Sequence, residues 1–164
     1  MNEELVKWLL TIISASLAAY VGSILALSKS KKITIWQKKQ NAYLKIIESL
    51  HNILVYAEEE SSSYLPVPSG NENISKKLKT RKEISLDVLR KYVHLGCLVV
   101  SKDASLKLEQ LLSELYDEEF RFYEVPFHDH KAAEKISDHN FKIRKIVEKH
   151  IIELKGIASK DLKI

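Results

Sequence analysis

From Trp8 to Leu27 (WLLTIISASLAAYVGSILAL) the chain carries no Asp, Glu, Lys or Arg. A helix of about 20 residues rises about 30 Å, the thickness of a bilayer's hydrocarbon core. Such a helix satisfies its own backbone hydrogen bonds and needs no other shelter in lipid. A secretory signal peptide has an apolar core of only about 7–15 residues behind a basic start, whereas this run follows MNEE. A helix buried on all sides would need more surrounding protein than the amino end of so short a chain offers. The pattern therefore predicts a single transmembrane anchor over residues 1–28.

Beyond the span the period changes to that of amphipathic helices. Trp36, Tyr43, Ile47, Leu50, Leu54 and Ala57 form one stripe at steps of three, four or seven, the spacing of one helix face. This basic juxtamembrane helix, residues 29–57, reads as joined to the anchor. Residues 58–75 break the pattern with EEESSS, Pro66, Pro68 and Gly70, and read as a surface loop. Residues 76–164 hold the remaining helices. Ser75 caps one through Leu95, with Ile84, Val88, Tyr92 and Leu95 inward. Ser101 or Asp103 starts another, with Leu106, Leu108, Leu111, Leu112 and Leu115 inward and Pro126 at its end. The last runs from about Lys131, with Ile136, Ile143, Ile146, Val147, Ile151, Leu154 and Ile157 apolar. Short connections favour antiparallel neighbours. The expected fold is all-α, one N-terminal transmembrane helix followed by a cytoplasmic bundle of about four helices.

Within the span, Ser14, Ala18, Gly22 and Ala26 recur every four residues, beside a second row of Thr11, Ala15, Ala19 and Ser23. Small residues at this spacing let helix backbones approach closely, which predicts a homo-oligomer assembled through this face. In a pore, Thr11, Ser14 and Ser23 are the polar side chains available to line it.

Charge orients the anchor. Residues 29–57 carry six Lys against one Glu, whereas residues 58–164 carry 19 basic against 19 acidic side chains. Lysines stay on the cytoplasmic side, so the N-terminus is expected outside and the bundle inside a bacterial inner membrane. Lys29, Lys31, Lys32, Lys38 and Lys39 are then the residues at the membrane surface, with membrane lipid as a partner. With no net basic surplus beyond them, direct binding of nucleic acid is disfavoured. Lys76, Lys77, Lys79, Arg81 and Lys82 read as a solvated helix start.

Candidate chemistry is sparse. One cysteine, Cys97, excludes an internal disulfide, and within HLGCLVV it reads as packing. No phosphate loop, nucleophile elbow or zinc motif occurs, and no cofactor is expected. His128-Asp129-His130 reads as a solvated turn rather than a metal site. Arg144 and His150 fit R-x5-H, and Arg121 and His128 fit R-x6-H.

An arginine and histidine so spaced resemble the signature of HEPN helical-bundle ribonucleases. There the pair activates a ribose hydroxyl and stabilises charge developing on the phosphate. Active members place a polar residue directly after the arginine, where this chain has Lys145 or Phe122. On an ideal helix Arg144 and His150 lie about 120° apart around the axis. As a whole, the anchor, helical bundle and degenerate Arg144–His150 motif resemble the small membrane accessory proteins of type VI-B CRISPR systems. That resemblance implies an oligomeric membrane pore that strengthens anti-phage defence beside an RNA-guided RNA-cutting effector. The expected function is thus a self-associating membrane interaction protein and not an enzyme. The alternatives are a membrane-tethered ribonuclease using Arg144 and His150, or a non-catalytic membrane adaptor.

Overall fold

The computed structural model describes the backbone over residues 2–62, 72–124 and 132–163; side chains are described over these except 2, 4–6, 9–13, 62, 72–74 and 97. Four α-helices follow in order: α1 (Asn2–Ser62), α2 (Glu72–Val99), α3 (Lys102–Glu124) and α4 (Ala132–Asp161). The all-helical expectation holds, and the anchor segment and the juxtamembrane stripe fall in the same α1. Of the expected 58–75 loop, residues 63–71 lie outside the described residues, while α1 and α2 reach further into it than the Glu-Ser and Pro-Gly signals suggested.

The transmembrane expectation is corrected. Among the described residues, no helix is long and apolar enough to cross a membrane. Residues 9–13, an apolar part of the expected span, lie outside the described side chains. From Ser14 onward, Ser16, Tyr20, Gly22 and Ser23 dilute the run, and Ser28, Lys29, Ser30 and Lys31 end it. The apolar run of described side chains, Ser14 to Leu27, is 14 residues, short of the about 20 that a span needs. The single-pass inner-membrane localisation and outward N-terminus fall with the span.

The chain divides into two compact units, Met1–Lys38 and Lys39–Ile164, and α1 contributes to both. In the first, every described side chain from residue 14 to 35 is exposed. Hydroxyls there bond back to their own helix: Ser23 Oγ donates to the Tyr20 carbonyl at 2.8 Å and Thr34 Oγ1 to that of Ser30 at 3.0 Å.

The second unit is the helical bundle. Its core gathers Ala42, Tyr43, Ile46, Leu50, Ile53 and Ala57 of α1, Leu89 of α2, Leu108, Leu111 and Leu115 of α3, and Ile143, Val147 and Leu154 of α4. One end is fixed by Tyr43, whose hydroxyl bonds to Asp161 and lies 3.4 Å from Ser101 Oγ, while Lys39 Nζ stands 3.5 Å from the Asp161 carboxylate. The start of this part of α1, the α2–α3 junction and the end of α4 thus meet at one end, and Arg144 of α4 lies 3.5 Å from Glu58, late in α1. These contacts make an up-down-up-down bundle. Burial, then the bond to Asp161, pushes the Tyr43 hydroxyl up to about 12.

Inward faces differ from the expected stripes at identifiable points. On α2 the buried residues are Ser85, Leu89 and Gly96, whereas Ile84 and Leu95 are 59% and 45% exposed. The inner face is one residue, about 100°, from the hydrophobic stripe. Two polar or small contacts account for it. Asn52 Nδ2 donates to Ser85 Oγ at 3.2 Å, and a Cβ built at Gly96 would stand 3.1 Å from Ser105 Oγ. On α3, Leu106 turns outward while Leu108, Leu111, Leu112 and Leu115 face the core as expected.

Candidate functional site

Arg144 and His150 sit on different faces of α4, in different surroundings. Arg144 is exposed: its Nε donates to Glu148 Oε1 at 2.8 Å, and its Nη2 lies 3.5 Å from Glu58. The Glu148 bond raises the guanidinium's already high pKa, and that bond to Arg144 holds Glu148 below its usual range. His150 has no solvent exposure. Its Nε2 lies 3.2 Å from Glu114 Oε2 and its Nδ1 3.7 Å from Glu153 Oε2, but the alignment is poor and neither nitrogen makes a hydrogen bond. A general base must reach the proton it takes; within one chain the enclosed imidazole and the solvated arginine do not meet. Arg121 is exposed near the end of α3, while its spacing partner His128, like Asp129 and His130, lies outside the described residues.

His150 belongs to an ionic seam between α3 and α4 that the R-x5-H spacing does not reveal. Lys149 Nζ bonds to Glu114 at 3.1 Å and Lys107 pairs with Glu153 at 3.0 Å. Burial alone would raise the Glu114 carboxyl, but bonds from Lys149 and Gln110, with His150 close by, outweigh it and hold its pKa below the usual value. One turn further along α3, buried Glu118 lies 3.5 Å from His139 Nδ1 and 3.3 Å from Lys142 Nζ. The His139 ring stacks on Phe122 with centroids 4.2 Å apart. Burial drives its pKa below the ordinary histidine value, more strongly than Glu118 raises it. The sequence signal for this seam was present: Glu114 and Glu118 are four apart on one helix, opposite two histidines of the next. Without the α3–α4 pairing, nothing linked them.

Among the described residues, no group of three or more His, Cys, Asp or Glu side chains could hold a metal. A cleft lined by Ile53, Leu86, Leu112, Leu115 and Ile143 offers about 10 Å³, the space of one water and far below that of a nucleotide.

The N-terminal segment offers surface instead. Ser14, Ala15, Ala18, Ala19, Gly22, Ser23 and Ala26 are all exposed, and the Thr11 side chain lies outside the description. A Cβ at Gly22 would meet nothing within 4 Å. Large apolar groups lie open beside them: Leu17, Tyr20, Val21, Ile24, Leu25, Leu27, Ile33 and Ile35. Lys29, Lys31, Lys32 and Lys38, read from the sequence as membrane-surface residues, are exposed, whereas Lys39 turns to Asp161.

No protein-family model, curated protein or solved structure matches the chain, so the resemblance to type VI-B accessory proteins rests on the residues quoted for it.

Proposed function

We propose that this protein is a non-catalytic interaction module that self-associates through the exposed part of α1. The observation that carries the reading is the run of large apolar side chains open to solvent between Leu17 and Ile35. Burying one such side chain stabilises by about 1.5–3 kcal/mol, and contiguous exposed apolar patches mark interaction surfaces. The small-residue rows support a second copy as the partner, because they let two helices approach closely where Gly22 leaves open space. The bundle of residues 39–164 is then the part carried by the assembly.

Sedimentation velocity on the full chain tests this, with an oligomer as the expected result. Gly22→Leu and Ala18→Leu add bulk on the small-residue face and should shift the chain toward smaller species. Ile24→Leu keeps volume and is the control. A monomeric parent overturns the reading. So does metal-independent RNA cleavage that vanishes in Arg144→Ala and in His150→Ala while the fold persists.

A further inference from the structure

We propose that the two α1 segments of that assembly run antiparallel, with residue i of one copy opposite residue 35 − i of the other. The inference rests on the self-association read above and adds its direction and register.

Two observations lead to it. First, the apolar stretch is closed by flanks of opposite charge. Glu3, Glu4 and Lys7 precede it with a net of −1, and Lys29, Lys31 and Lys32 follow it with a net of +3. Glu3, Lys7 and the three following lysines are exposed. Secondly, these charges are placed symmetrically, with Glu4 and Glu3 four and five residues before Trp8 and Lys31 and Lys32 four and five after Leu27. Laying Trp8 of one copy against Leu27 of the other covers the whole apolar run on both. That same register sets Glu3 opposite Lys32 and Glu4 opposite Lys31. A parallel pair would instead place three lysines against three lysines, and like charges brought together at an interface suppress a pairing. Near the centre, Ala18 of each copy falls within one residue's rise, about 1.5 Å, of the other, on the side that also carries Gly22, where nothing crowds the backbone. A pair built this way is isologous, so the same patch serves both copies. Larger even-numbered assemblies can stack such pairs to cover the apolar side chains that one pair leaves open.

Disulfide cross-linking of the full chain in a Cys97→Ser background decides the direction. Thr11→Cys and Leu25→Cys lie on one helix face and within one residue's rise, about 1.5 Å, of the same level in the antiparallel pair, whereas two copies of Thr11→Cys are about 20 Å apart there. A mixture of the two variants should cross-link under mild oxidant, with each alone giving at most about a tenth of that yield. The charge terms have their own test. Lys31→Glu with Lys32→Glu should weaken dimerisation roughly tenfold at low salt, and adding Glu3→Lys with Glu4→Lys to the same chain should restore it. Efficient cross-linking of Thr11→Cys to itself in a stable assembly overturns the antiparallel pair and leaves self-association standing. A parent chain that stays monomeric, or that floats with phospholipid vesicles in place of assembling, overturns both.

Discussion

His150 illustrates how one buried residue can mislead a motif. Its two ring nitrogens lie against Glu114 and Glu153 without a hydrogen bond, in a site with no exposure. An unsatisfied buried polar group costs about 1–3 kcal/mol, so His150→Leu, similar in volume and apolar, should leave thermal stability unchanged within about 1 kcal/mol or raise it. A loss of about 3–5 kcal/mol would instead show a charged imidazole paired with Glu114, the signature of breaking a buried ion pair. His139 makes a pH prediction. Its pKa in the fold lies below the ordinary 6.5, chiefly through burial. The unfolded chain then binds the proton more tightly, so stability is full above that value and falls as pH drops through it. Glu114 and Asp161, held low by their bonds, add to the loss at more acid pH. Denaturant midpoints measured between neutral and mildly acid pH should fall, and His139→Gln should flatten the part of that slope nearest 6.5.

At the scale of the element, the junction between α2 and α3 was legible where the inner face of α2 was not. Ser101 starts α3 as its type and position suggested: its Oγ accepts from the Ala104 amide at 3.3 Å. Ser101→Ala should cost about 1 kcal/mol in urea unfolding, the usual worth of such a cap. The inner face of α2 was misread because hydrophobic periodicity weighs only apolar side chains. Ile84 and Leu95 supplied the stripe, while Ser85 and Gly96 made the contacts. Gly96 lets α3 come close enough for Ser105 Oγ to donate to the Val93 carbonyl at 3.1 Å. Gly96→Val should destabilise by about 1–3 kcal/mol through overpacking against Ser105 and Val100. Ala at Ile84, a position of the apparent stripe, should be nearly neutral.

On the whole-molecule scale the bundle is closed at one end by side chains remote in sequence. Tyr43, Ser101 and Asp161 meet there with Lys39. Tyr43→Phe should cost about 1 kcal/mol, a net hydrogen bond, and return Asp161 toward the ordinary carboxylate range by NMR titration. The all-helical class, the helix stop and start near Ser101 and most core leucines could be read from the chain, because local spacing and capping chemistry act within a few residues. The expected membrane span rested on the uncharged length from Trp8 to Leu27, whereas the described apolar side chains run only from Ser14 to Leu27, less than the about 20 residues a bilayer needs. By itself the sequence determined the all-helical class, the helix junction near Ser101 and where charge collects. Only the tertiary structure decided which face of α2 turns inward, that His150 is enclosed while Arg144 is solvated, and that Glu114 and Glu118 face histidines across a helix boundary. Such pairings depend on backbone approach distances, which no periodicity along one chain encodes.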